Sequence, residues 1–246
     1  MQSDSVENIF ARAWSLLARN PVIIVPGLVV GIVVGIVEAI VLPHRGLVDS
    51  SGATDTAAVV AGAGSAIAAG AIVAVVGVLA FLITQTYTTG MAGAAWQNGA
   101  ASLADGSAAF REDAGRLLAA VLLIAVIGIV AAVLTLGIGW FVVLFFAMYV
   151  VPAVVLDNYG AIPALKLSAA IALKRALATI IIIVLLAVIG FVLFLITAPL
   201  AFIPFLGPIV AAVVSQAVTA YATLVIVGEY VNARQAPDVL VAGPPR

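Results

Sequence analysis

Between Asp55 and Asp105 the chain carries no charged side chain across forty-nine residues, and the stretch is rich in Ala, Val, Gly and Ile. As a helix it would be about 74 Å long at 1.5 Å per residue, more than twice the ~30 Å hydrocarbon core of a bilayer. A water-soluble domain has no interior large enough to bury such a segment. The remainder of the chain agrees: 65% of residues are apolar, 9% are charged and the mean hydropathy is +1.32. Ordinary soluble domains carry roughly 25% charged residues. At ~20 residues per crossing, the 246 residues allow several membrane spans and no sizeable soluble domain.

Six apolar segments are expected to cross, at about 21–42, 57–83, 117–136, 140–156, 177–198 and 209–231. The second is long enough for two crossings. No turn signal breaks Val75–Phe81, and from Thr84 the composition becomes polar (Thr84, Gln85, Thr86, Thr88, Thr89, Gln97, Asn98). One crossing that continues as helix beyond the bilayer is the reading that follows. Spans three and four are separated only by Gly137-Ile138-Gly139 and should form a tight hairpin. A Pro-rich apolar loop, 199–208, precedes the last span. Residues 1–232 form a single transmembrane domain, and 233–246 a short cytoplasmic tail.

Charge placement supports an even count. With six spans, Arg12, Arg19, Arg111, Arg116, Lys166, Lys174, Arg175, Arg234 and Arg246 lie on the N-terminal side and only Arg45 on the other. Excess Lys and Arg mark the cytoplasmic face, so both termini are expected there. The acidic Met1–Glu7 segment does not look like a secretory signal, which would be basic, and is expected to be retained.

Three amphipathic segments precede pairs of spans: 5–20, 102–116 and 161–176. In the first, Val6, Ile9, Phe10, Ala13, Trp14 and Leu17 form one stripe; in the third, Ile162, Leu165, Ala169, Leu173 and Ala176 do. Such helices can lie in the headgroup plane with the apolar side in the acyl chains. Their alignment with one another suggests a weak internal repeat, although any cytoplasmic elbow helix would look similar. The fold class expected is all-α: a polytopic membrane protein of six transmembrane helices with three cytoplasmic interfacial helices.

The segment Ala13-Trp14-Ser15-Leu16-Leu17-Ala18-Arg19-Asn20-Pro21 leads into the first span. Later, Val151-Pro152-Ala153-Val154-Val155-Leu156-Asp157-Asn158-Tyr159-Gly160 leads into Ala164-Leu165-Lys166-Leu167-Ser168. Together they resemble the membrane domain attached to some bacterial glycerophosphodiester phosphodiesterases, and its stand-alone six-helix relatives. The resemblance covers most of the chain and implies a six-helix bundle with elbow helices at the cytoplasmic surface, which suits the bacterial cytoplasmic (inner) membrane. The sequence departs from the pattern at Ala169, where an aromatic usually follows the serine, and has no room for the phosphodiesterase barrel. The resemblance therefore implies no catalytic residue.

Composition and motifs exclude several chemistries. There is no Cys, and His44 is the single His, so neither a thiolate site nor a multi-histidine metal cluster can form. A net charge of −1 offers nothing to nucleic acid. No Gly-x-Ser-x-Gly, Gly-Lys-Ser or His-Glu-x-x-His motif occurs. No enzymatic activity and no cofactor are expected.

Three features remain as site candidates. Gly27, Gly31, Gly35 and Ala39 form a small-residue groove at i+4 spacing, with Gly62, Ala66, Gly70 and Ala74 as a possible counterpart. Such grooves let helices approach closely, within one chain or across a homodimer seam. Glu38 is a carboxylate within a span, a functional candidate by default, yet close enough to His44 and Arg45 for an interfacial ion pair. Gln216, Thr219 and Thr223 share one face of the last span and would either line a polar path or bond between helices. Glu229, close to Arg234, is expected at the interface, and Asp157 at a turn. No pair of broken spans, the usual mark of an ion site, is visible. The function expected is a non-catalytic structural or accessory subunit packing against membrane lipids, a partner protein or a second copy. The alternative is a small-molecule or lipid-related permease.

Overall fold

The computed structural model describes residues 5–41, 56–199 and 206–235, and these are helical with no strand. In chain order they are α1 (Val6–Arg19), a 3-10 turn (Pro21–Ile24), α2 (Val25–Val41), α3 (Thr56–Asn98) and α4 (Leu103–Leu134). There follow α5 (Ile138–Ala147), α6 (Val150–Asp157), α7 (Ala161–Lys174), α8 (Ala176–Thr197) and α9 (Leu206–Gln235). Five stretches are long and apolar enough to cross a membrane: 70–98 of α3, α4, α5 with α6, α8, and 213–235 of α9. The bent pair of α1 and α2 makes a sixth if it is taken as one span. The chain is a multi-pass membrane protein. The loop around His44 and the terminal tail lie outside the described residues, as does most of the Pro-rich loop.

The core is concentrated at one end of the helices. α1, the second half of α3, the first half of α4, α6, α7 and the second half of α9 supply most of the buried apolar residues. Further along, Val133, Leu134, Phe141, Phe191, Phe194 and Ile196 are exposed on the outer faces of α4, α5 and α8. A soluble monomer rarely shows a continuous apolar surface of that extent. Hydrocarbon accepts it without cost.

Asn20 makes the 91° bend between α1 and α2. Its backbone N–H closes α1 on Leu16 and Leu17, and Pro21 then starts the 3-10 turn. The buried Asn20 amide donates to Leu16 O at 3.0 Å and Gly99 O at 3.2 Å, while its Oδ1 accepts from Ala101 N at 2.9 Å. The end of α1 is thereby tied to the α3–α4 turn.

Several expectations are corrected. The α1 stripe is not immersed in acyl chains: Ile9, Ala13 and Leu17 are buried among Met91 and Ala95 of α3 and Ala220 and Leu224 of α9, leaving Trp14 65% exposed. In α7 the expected stripe points the other way. Ile162 and Leu173 are exposed, whereas Ala164, Leu167, Ser168, Ile171 and Ala172 are buried. The buried face combines the bulky Leu167 and Ile171 with the small Ala164, Ser168 and Ala172, which let the backbones approach. Residues 102–116 are not a separate helix but the start of α4, capped by the Ser102–Asp105 box. Among the described residues of α3, the polar part lies inside: Thr86, Thr88 and Thr89 are all buried. A threonine tolerates this where its hydroxyl returns to its own helix, as Thr86 does to Leu82 O at 2.6 Å.

The fourth apolar segment is broken at Met148–Tyr149, contrary to the expectation of uninterrupted spans. Pro152 has no N–H to offer Met148 O, so the helical ladder must fail there. Ser168 on α7 bridges the gap, donating to Phe146 O at 2.6 Å and accepting from Tyr149 N at 2.9 Å. Removing that hydroxyl leaves a buried carbonyl and a buried amide without their shared partner. Ser168→Ala is therefore expected to destabilise the fold by about 2 kcal/mol, read as a lowered thermal midpoint in detergent. An unchanged midpoint would show that the joint holds without the hydroxyl.

Candidate functional site

The small-residue face of α2 and the amide of α9 meet. A Cβ built on Gly27 would lie 2.2 Å from Gln216 Oε1 and 3.4 Å from Gln216 Cβ; one on Gly31 would lie 3.7 Å from Nε2. At Gly35 nothing stands within 4 Å. The groove thus receives a glutamine side chain rather than the backbone of another helix, and it widens toward Gly35. Gly70 and Ala74 of the expected counterpart are exposed, and Gly70 faces open space. On α3 the residues that border the groove are instead Ala80, Phe81, Thr84 and Gln85. The side chains of Glu38, Ala39, Gly62 and Ala66 lie outside the described residues.

The three helices enclose an open cleft of about 320 Å³. Gly27, Gly31 and Gly35 line it from α2, Thr84 and Gln85 from α3, and Gln216 and Thr219 from α9. Thr219 donates to Ser215 O at 3.0 Å and Thr223 to Thr219 O at 2.9 Å, so both hydroxyls turn back onto α9. Thr223 is buried away from the cleft. Among the described residues, the amides of Gln85 and Gln216 make no hydrogen bond. Two half-buried amides with unused donors and acceptors therefore face a cavity between apolar helices.

A second polar assembly holds the tied end. Glu229 is not interfacial but fully buried. Its carboxylate lies 2.6 Å from Arg175 Nε, at the α7–α8 joint, and accepts from Asn232 at 3.5 Å. Nearby, the buried Tyr149 hydroxyl is 2.9 Å from Thr179 Oγ1. Arg234 pairs not with Glu229 but with Asp157, at 3.0 Å, and Tyr230 donates to the same carboxylate. Arg116 reaches Asp113 at 2.8 Å and Asn158 Oδ1 at 2.6 Å, with Asn158 in the left-handed conformation (φ 59°) that closes α6. Arg12 sits 4.5 Å above the Trp96 ring and donates to Trp96 O. Trp96 in turn donates to Leu224 O at 2.8 Å and lies on Gly228, where a Cβ would be 2.2 Å from the ring.

Reading the sequence missed this assembly because its partners are distant in the chain. Glu229 stands near Arg234 in sequence, and that proximity misleads. The signal available was the residue type itself, since carboxylates and arginines adjoining spans rarely stay unpaired. Along α9, Gln216 and Glu229 are about 20 Å apart at 1.5 Å per residue, so cleft and ionic assembly are separate. Among the described residues no three Asp, Glu or His side chains come together to hold a metal ion.

Breaking one partner of a buried ion pair strands the other. Arg175→Met alone is expected to destabilise the protein by about 4 kcal/mol, and Arg175→Met with Glu229→Leu by clearly less. Thermal unfolding of both single variants and the double variant measures the coupling; a double-variant loss equal to the sum of the two single losses would show that the two side chains act independently.

No family model matches this chain, and no curated protein or solved structure does either.

Proposed function

We propose that this chain is a non-catalytic integral protein of the bacterial cytoplasmic membrane, a structural or accessory subunit that packs against lipid or a partner complex. The observation that carries the reading is the use made of the charged groups. Arg175 and Arg234 are paired to Glu229 and Asp157, Arg116 reaches from α4 to Asn158 at the end of α6, and Arg12 lies over Trp96, all in contacts that fasten helix to helix. The cleft, by contrast, is bordered by amides, hydroxyls and apolar groups. Such an arrangement suits a scaffold with a rigid end and an extensive apolar exterior.

On this reading the protein crosses six times, with α1–α2 contributing the first crossing. α1, the start of α4 and α7 form the cytoplasmic surface, where the basic residues concentrate. The chain is then a relative of the membrane domain found in some glycerophosphodiester phosphodiesterases. A permease for a small molecule or lipid is the second reading, and the cleft beside Gln216 and Thr219 is what favours it.

Topology reporters test the layout. Fluorescent-protein fusions at the first and last residues should both be bright, and alkaline phosphatase fusions at both ends inactive; reporters on opposite sides would overturn the six-span arrangement. For the role, gentle extraction from the native membrane should recover a second integral protein in near-equimolar amount. A chain recovered alone that confers solute uptake on vesicles would favour the permease.

A further inference from the structure

We infer that the cleft between α2, α3 and α9 binds the carbonyl end of an acyl lipid, with the carbonyl held by Gln85 and Gln216 and the chain lying along the glycine face of α2. The inference rests on the membrane reading above, not on the accessory role. A primary amide offers two donors and an acceptor. Away from water an unpaired one is costly, and a hydrocarbon surround supplies no partner. Gln85 and Gln216 both border the cleft, and neither bonds to a described residue. The occupant must therefore bring hydrogen-bond acceptors of its own.

The rest of the lining describes the rest of the occupant. Beyond the amides the walls are Val30, Val34, Ala80 and Phe81, together with Thr84 and Thr219, the latter's hydroxyl turned back onto α9. Among the described residues nothing stands within 4 Å of a Cβ at Gly35, so the floor is open there, and the Gln216 Nε2 donor lies on the Gly31 side, toward that opening. Phe81 and Val213 are exposed, as are Ile32 and Val33 on α2, so the cleft is approached from an apolar surface. A ligand entering this way has an alkyl body and one polar junction. A transmembrane helix from a second copy fits less well, because its backbone groups are already paired and its apolar side chains would leave both amides unsatisfied. The carbonyl of an acyl lipid has no internal donor. It belongs either to the ester of a glycerolipid or to the carboxyl group of a free fatty acid, and the chemistry of recognition is the same.

The test uses the full chain, delipidated in detergent, with oleate and dioleoylphosphatidylglycerol as separate probes followed by native mass spectrometry. The wild type should take up one saturable adduct. Loss of two hydrogen bonds in Gln85→Leu/Gln216→Leu should weaken it about tenfold. Gly35→Leu adds a side chain where no described residue stands within 4 Å of a Cβ; with a thermal midpoint matching the wild type, it should block the adduct while both amides remain. Binding of oleate alone assigns a free acid, of the phospholipid alone a glycerolipid, and of both the shared carbonyl. Equal uptake by wild type and Gly35→Leu, or none by the wild type, overturns the proposal and leaves a cleft holding water only. Either result is independent of the topology reporters, which test the membrane reading by themselves.

Discussion

Glu229 lies where water does not reach, 2.6 Å from the guanidinium of Arg175. A lone carboxylate in that position would be strongly disfavoured, so the last third of α9 has to lie against the α7–α8 joint. Once it does, Arg234 reaches Asp157 at the end of α6, and Trp96 finds Leu224 O across Gly228. α3, α6, α8 and α9 are then held in register by polar contacts, with apolar packing filling the space between. In a bilayer this division of labour is expected. Hydrocarbon drives no helix association of its own, so close packing and hydrogen bonding must supply it.

The same constraint accounts for the break in the fourth apolar segment. Pro152 forces a gap in the helical ladder, and an unbridged gap would leave backbone groups unpaired in an apolar setting. Ser168 fills it from α7, and the packing of α7 follows: the face bearing Ser168 must turn inward, with small Ala residues on either side. Ile162 and Leu173 go outward as a result. Asn20 plays the corresponding part at the α1–α2 bend, meeting the carbonyl and amide groups that the α3–α4 turn leaves open.

The two ends of the molecule therefore differ in kind. One is a web of paired charges and buried threonines. The other consists of helices with few partners among the described residues, between which lies a cleft whose amides remain unused. A polar-tied framework beside this cleft is the arrangement on which the functional proposals stand.

How much of this was legible beforehand follows a clear physical line. Membrane residence, an all-helical fold and the approximate positions of the apolar helices are properties of local composition, because bilayer thickness and helix rise set the length of a crossing regardless of what lies beside it. The glycine face of α2 was likewise visible as a periodic pattern; of the expected polar face of α9, Gln216 and Thr219 border the same cleft while Thr223 does not. Which face of α7 turns inward was not visible, nor that α3 and α9 rather than lipid cover the α1 stripe, since only the neighbouring helices decide. Nor could the sequence tell that Thr86, Thr88 and Thr89 are interior, or that Glu229 belongs to Arg175 and Arg234 to Asp157. Those pairings depend on distances between residues remote in the chain, and such distances exist only once the helices have packed.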